Sequence, residues 1–315
     1  MTCQPDNGGC WAEDFAASEA GNIALLTEHY YISNCSSAAP SISGLLTYPG
    51  PGPVGALQNL QTAASANHVL VRIDECNTYF ASKEPTGVAN AFAAALWAID
   101  SIFTNAQYGS SGVNFHNTEN TPGYAAIGES DSAIASVQPL YYGMFLFSKL
   151  FPLGEPGVLL ESTLTVSGVA LTAVASGFLD GTRVVLNNKD SVSAANVTIS
   201  GFAPWSRAAL LTTLASAGDT PSQQLANLGI YNGGGPITFG GEPFALNVQW
   251  NGRPTEMPVS GGSLTVASQP ATGSSCVWTG PLSPRGELPW PATAVYLLRL
   301  NSAAKLPACS RWQCG

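Results

Sequence analysis

Residues 69–80 read Val-Leu-Val-Arg-Ile-Asp-Glu-Cys-Asn-Thr-Tyr-Phe, a short apolar run that delivers one carboxylate, Glu75, into a polar and aromatic stretch. Val69, Leu70, Val71 and Ile73 have the β-branched, continuous apolar character of a parallel strand buried on both faces. Helix-like patterns lie on either side. A carboxylate at the carboxyl end of such a strand points to the region where (β/α) barrels keep their active sites.

Outward from this strand, helix and strand patterns alternate as far as residue 150. Trp11 and Phe15 predict a helix, Ile23 to Leu26 a strand, and residues 55–66 a second helix. Phe92, Leu96, Ile99 and Phe103 recur at the spacing of one helical face. A strand from Val113 to Phe115 and a helix from Tyr141 to Leu150 complete the βαβα order of a parallel barrel. The tract Tyr48-Pro49-Gly50-Pro51-Gly52-Pro53 reads as a loop, either lining a substrate site or as a rigid surface turn.

Beyond residue 150 the pattern is all-β. Asp180-Gly181 and Gly261-Gly262 each stand between apolar runs, and both predict hairpins. Val197 and Ile199, Leu264 and Val266, and Val295 and Leu297 alternate as in strands covered on one face. The expected division is therefore a barrel part over residues 1–150 and a β-sandwich over residues 151–315.

The 315 residues are 45% apolar and 10% charged, which is ample material for two cores. A net charge of −9 argues against nucleic acid, an anionic membrane surface or heparan sulfate as partner, because each needs concentrated Lys and Arg. No run approaches the length of a membrane span. Residues 1–20 lack the basic start and apolar core of a signal peptide, so secretion is expected only if a leader lies upstream. Asn34-Cys35-Ser36 and Asn196-Val197-Thr198 fit the glycosylation acceptor pattern. Cys3 with Cys10, and Cys309 with Cys314, are near enough in sequence to close small loops, with their pairing left open. Seven cysteines leave at least one thiol free, and Cys76 is expected to be that one, as a packing group.

Several motifs stand in a telling order. Thr27-Glu28-His29-Tyr30-Tyr31 comes first, then Arg72-Ile73-Asp74-Glu75-Cys76-Asn77-Thr78, then Gly112-Val113-Asn114-Phe115-His116. Tyr124-Ala125-Ala126-Ile127 and Gln138-Pro139-Leu140-Tyr141-Tyr142-Gly143 follow. Together they resemble the strand ends, site loop and last barrel helix of glycoside hydrolase family 79, the β-glucuronidases and heparanase-like enzymes. Gln4-Pro5-Asp6 is similar to that family's motif at the end of the fifth strand, and Ala294 to Leu300 to its last sandwich strand. The resemblance implies a partial (β/α)8 barrel, strands six to eight, followed by the β-sandwich.

It also implies retaining cleavage of a β-glycoside with Glu75 as nucleophile. His29, Tyr30 and Asn77 are the polar groups it brings to that carboxylate, and Tyr124 the loop tyrosine lining the sugar site. His116 is a further candidate for the same pocket. Tyr79 and Lys83 stand in the loop that holds the sugar carboxylate in glucuronidases. Here that loop has no paired glycines, so either Lys83 supplies the charge or the sugar differs. Arg72, three residues before Glu75, is placed by strict alternation on the opposite strand face. No cofactor or metal is expected: His29 has no second His or carboxylate at ligand spacing. A carbohydrate is the expected partner.

The family's Asn-Glu-Pro, which carries the general acid/base on an earlier strand, occurs nowhere in the chain, and only 74 residues precede Glu75. Asp6, Glu28 and Glu119 fall near strand ends, but none at the position of the fourth strand. The expectation is a chain inactive or nearly so by itself, with a non-catalytic carbohydrate-binding or regulatory remnant as the alternative.

Overall fold

The structure, a computed structural model, describes residues 11–34, 39–80, 87–117, 123–152, 157–164, 168–178, 181–200, 208–228 and 235–279. Lys83, Asp6, Glu119, Cys3, Cys10, Cys309, Cys314 and the strand expected at 294–300 lie outside the described residues.

Helix α1 (Trp11–Ser18) precedes three parallel strands, β1 (Leu25–Asn34), β2 (Leu70–Phe80) and β3 (Ser110–Phe115), which lie side by side in chain order. Helices α2 (Ile42–Leu46) and α3 (Pro51–Ala66) join the first pair, and α4 (Phe92–Gln107) joins the second. The Pro/Gly tract is only partly a loop. Gly50 caps α3 and Pro51 opens it, a place where proline's fixed φ and missing N–H cost nothing.

One face of this sheet is apolar and meets the helices. Leu26, Tyr30, Val71, Ile73 and Cys76 share a buried cluster with Leu57 and Leu60 of α3 and Trp97 of α4. Every residue of α4 from Phe92 to Ala106 is buried, not only the predicted stripe. Its remaining surface is covered by α5 (Pro139–Leu150) and by the sheet that follows. Gly143 is where α5 touches α4. A Cβ there would overlap the Ala95 carbonyl oxygen and stand 2.8 Å from Ala98 Cβ. Gly143→Ala is expected to push the helices apart at a cost of about 1–3 kcal/mol. A fall in denaturation midpoint at constant m value would register it.

Between β3 and α5 lies a hairpin that the patterning did not predict, β4 (Ile127–Ser130) with β5 (Ala133–Val137). Its two turn residues, Asp131 and Ser132, both have positive φ. After α5 come β6 (Val158–Leu160), β7 (Leu171–Phe178), β8 (Gly181–Asn188), β9 (Ala195–Ser200), β10 (Ala208–Ser216), α6 (Pro221–Ala226), β11 (Ile237–Phe239), β12 (Thr255–Pro258), β13 (Ser263–Ser268) and β14 (Thr272–Thr279). They form a seven-stranded sheet, ordered β11-β10-β14-β8-β7-β6 with β12 on β10, and a separate antiparallel pair, β9 with β13.

The hairpin expected at Asp180-Gly181 is present as β7–β8, with Phe178 opposite Gly181. At Gly261-Gly262 the expectation needs correction. Both glycines take the left-handed φ of a tight turn and Ser260 pairs with Ser263, yet the flanking strands part at once. β12 joins β10 and β13 joins β9, so the turn crosses between sheets. β8 is buried on both sides. Val184 and Leu186 pack with Val197, Ile199, Leu264 and Val266 of the smaller sheet, and Val185 between them joins the cluster that holds α4 and α5. The antiparallel sheet is thus packed against the helices of the parallel sheet. Among the described residues no helix is long and apolar enough to cross a membrane.

Candidate active site

The opposite face of the parallel sheet carries the polar groups, and a bulge decides which. Glu28 pairs with Ile73 but His29 with Glu75, so Asp74 is an extra residue in β2, and the pairing with β3 slips at the same point. Ile73 and Cys76, three apart, are both buried against the helices. Two consecutive carboxylates, Asp74 and Glu75, are thereby left on the other side. The bulge overturns the expected position of Arg72. Its guanidinium shares Glu75's face and donates from Nε and Nη2 to Asn114 Oδ1 at 3.1 and 2.6 Å. Gly112 leaves room for it, since a side chain there would collide with the guanidinium.

Glu75 stands in the middle of the central strand β2, beside the last pairing of β2 with β3 at Cys76 and Phe115, with its side chain 37% exposed. Tyr31 donates to Glu75 Oε1 at 2.8 Å. His29 Nδ1 is 3.9 Å from the same oxygen, and His29 Nε2 is 3.6 Å from Asp74 Oδ1. Burial, then the bond to Glu75, raises the Tyr31 phenol well above its usual range, so it stays a donor at any working pH. The Cys76 thiol is free, and burial followed by the charge of Glu75 pushes its pKa up too, as suits a packing group.

Tyr31 was not among the expected site residues; Tyr30 was. The structure reverses them, because β1 alternates. His29 and Tyr31 face Glu75, whereas Tyr30 pairs with Cys76, is buried among the helices and packs on Tyr48 at 5.8 Å between ring centroids. Counting two residues on from His29 would have found the right tyrosine. Tyr79 is likewise turned away. Its hydroxyl donates to Ser41 O at 3.4 Å over Gly44, where any Cβ would strike it.

Asn77 is fully buried and its amide is spent on the backbone. It donates to His116 O at 2.9 Å and Tyr124 O at 3.2 Å and accepts from Thr78 N at 2.9 Å, so it is a strut under the loop after β3 and not a sugar contact. That loop brings the Tyr124 ring to 6.2 Å from Tyr31, and His116 Nδ1 to 2.8 Å from Tyr124 Oη. Glu28 is buried on the helix side of β1, opposite Ile73. Of the expected residues, Glu75, His29, Tyr124 and His116 come together on one face; Tyr30, Tyr79 and Asn77 do not present their side chains there.

No protein-family profile matches the chain, and no curated protein does. Solved structures do. A 4-O-α-L-rhamnosyl-β-D-glucuronidase from Fusarium oxysporum 12S superposes with a TM-score of 0.65 at 18% identity, over 84% of this chain and 56% of that one. A family 51 arabinofuranosidase from Xanthomonas axonopodis pv. citri gives 0.58 at 17%, over 85% and 55%. The family 51 α-L-arabinofuranosidase of Thermotoga petrophila RKU-1 gives 0.58 at 15%, over 86% and 56%. The chain spans just over half the length of these proteins. Over that span its mixed α/β architecture, with a short parallel sheet, its helices and an antiparallel sheet behind them, is the fold found in glycoside hydrolases.

Proposed function

We propose that the chain is the nucleophile-bearing part of a retaining glycoside hydrolase of β-glucuronidase type. Residues 1–150 are read as the C-terminal part of a (β/α)8 barrel and residues 151–315 as its β-sandwich. The observation that carries the reading is a half-open carboxylate on the polar face of the central parallel strand, level with the carboxyl end of β3 and gripped by a tyrosine from the neighbouring strand. Tyr31 and His29 both address Oε1 of Glu75, which leaves Oε2 to attack the anomeric carbon. As that bond forms, the glycosidic C–O bond breaks and the leaving oxygen takes a proton from a second carboxyl group. In such enzymes the two carboxyl groups stand about 5–5.5 Å apart, and the second later activates water to release the sugar.

The motif for that second group is missing from the sequence, so the acid/base is proposed to come from outside these 315 residues. Proton donation is worth about 10²–10⁴-fold in rate, and the chain alone is expected to turn over little or nothing. The uronide is favoured by the sequence resemblance and by the glucuronidase among the structural neighbours.

The test is incubation of the purified chain with a glucuronic-acid aziridine of the cyclophellitol type, followed by peptide mapping. An adduct on the peptide holding Glu75, absent in Glu75→Gln, is the expected result. A folded chain that binds glucuronides equally well with Glu75→Gln and never forms the adduct would instead be the carbohydrate-binding remnant.

A further inference from the structure

The two sides of Glu75 differ in charge. From β1, Tyr31 donates to its Oε1 at 2.8 Å, and His29 lies 3.9 Å from that oxygen and 3.6 Å from Asp74 Oδ1, so both carboxylates are met from the β1 side. The β3 side holds a cation. Arg72 stands before Glu75 on β2, but its guanidinium reaches across the polar face to β3. There it fills the space that a side chain at Gly112 would take and donates to Asn114 Oδ1. Asn114 lies between Val113, the partner of Ile73, and Phe115, the partner of Cys76. The charged head of Arg72 is thereby lifted to the level of Glu75.

The donors of that head are spent unevenly. Nε–H and the adjacent Nη2–H, at 3.1 and 2.6 Å, both go to the one amide oxygen, which uses up a side edge of the guanidinium. The end edge offers one N–H each from Nη1 and Nη2, a fork that matches the two oxygens of a carboxylate. Among the described residues nothing takes this edge, and Arg72 meets no carboxylate within ion-pair distance. A guanidinium held in place by a neutral amide keeps its charge for a ligand.

We propose that Arg72 is a specificity-determining residue, whose end edge binds the carboxylate of a uronic acid unit with its anomeric carbon at Glu75. The inference rests on the glucuronidase reading and names the cation that the sequence left to Lys83 or to a different sugar. In a glucuronide the carboxylate hangs from C5, the carbon joined to the anomeric carbon through the ring oxygen. A nucleophile on β2 and a cation held on β3, one strand spacing of about 4.8 Å away, therefore address the same ring. The charge is also needed. Glu75 and Asp74 repel an anionic sugar, and the guanidinium offsets them at every working pH. A neutral glucoside carries a hydroxymethyl group at C5 and gains no such fork.

The experiment uses the full 315-residue chain and two matched pairs of ligands. One pair is the glucuronic-acid aziridine and its neutral glucose-configured counterpart, read as labelling rates. The other is 4-nitrophenyl β-D-glucuronide and 4-nitrophenyl β-D-glucoside, read as equilibrium binding. The wild type is expected to prefer the uronate member of each pair by about 10- to 100-fold, the worth of a charge-assisted fork. Arg72→Gln keeps a donor for Asn114 and should erase the preference, whereas Arg72→Lys should retain part of it. Asn114→Asp leaves Arg72 intact but gives it a built-in carboxylate, and should erase the preference as well. A guanidinium that only ties β2 to β3 would be tightened by that change and would leave selectivity alone. A preference that survives in folded Arg72→Gln or Asn114→Asp, or is lost in Lys83→Gln instead, would overturn the proposal, as would a wild type that binds both sugars equally. Labelling by neither aziridine, with a glucuronide-binding preference that Arg72→Gln abolishes, would strike the hydrolase reading and leave the role of Arg72 standing, so the two failures are distinguishable.

Discussion

Asp100→Ala is expected to cost about 3–5 kcal/mol, a large share of the 5–15 kcal/mol that holds most domains together. Asp100 stands in the middle of α4 and Lys189 directly after β8; their side chains are each 6% exposed and form an ion pair. The carboxylate also accepts from Thr172 of β7 and, at 2.9 Å, from Asn187 of β8, while the ammonium donates to the Tyr48 carbonyl oxygen ahead of α3. Removing Asp100 strips the ammonium of its counter-charge and leaves the Thr172 hydroxyl and one N–H of Asn187 without their acceptor, the other Asn187 N–H keeping the Leu96 carbonyl, and that penalty, rather than the worth of the pair, is what the midpoint would report. Asp100→Asn combined with Lys189→Met keeps an acceptor for Thr172 and Asn187 and removes both charges. It should recover part of the loss, leaving the amide NH2 introduced at position 100 without an acceptor and the Tyr48 carbonyl without a donor. Urea denaturation of the three proteins decides the matter. Equal losses in the single and double variants would mean that shape, and not charge, governs the site. Because the cluster joins residues on either side of position 150, the single variant should melt both parts together.

What could be read from the chain and what could not divides along physical lines. The spacing of Phe92, Leu96, Ile99 and Phe103 announced α4, since a helix that packs must repeat near 3.6 residues whatever covers it. The other sides of α4 were not legible, because their partners on α5 and β8 lie far along the chain. The pairs Asp-Gly and Gly-Gly marked turns through glycine's tolerance of positive φ, yet a turn does not say which sheet its flanking strands will join. The β4–β5 hairpin escaped because Asp131 and Ser132 adopt positive φ without glycine to advertise it. Asp100 with Lys189 had no local signature at all.

In the site, the sequence offered a carboxylate following an apolar run, and the structure places Glu75 on the polar face in the middle of β2. Its surroundings were displaced by a single bulge. With strict alternation Arg72 falls behind the sheet, and the extra residue at Asp74 returns it to the front. Nothing in Ile73-Asp74-Glu75-Cys76 departs from a regular strand, having neither Gly nor Pro, so the slip is a property of three strands pairing and is invisible in one of them.

Tyr31→Phe should slow aziridine labelling of Glu75 by about 10- to 100-fold, whereas Tyr30→Phe should leave it within a factor of about two. The two tyrosines are adjacent in sequence and opposite in role. Tyr31 donates to the carboxylate at 2.8 Å, and a bond to a charged acceptor is worth about 1.5–3 kcal/mol, which corresponds to roughly one to two decades in rate if it is retained as the carboxylate attacks. Without the phenol, Oε1 keeps only His29, 3.9 Å away and on a side chain 60% exposed, so the carboxylate can rotate. The Tyr30 hydroxyl sits on the helix face beside Cys76, and its loss removes nothing that Glu75 touches. The pH profile sharpens the contrast. Burial and the Glu75 bond hold the Tyr31 phenol protonated far above neutrality, so in the wild type its donation does not fade on the alkaline side. Labelling that falls in Tyr30→Phe as much as in Tyr31→Phe would mean that the hydroxyls act through packing of β1, and the assignment of Tyr31 as the residue that orients Glu75 would have to be abandoned.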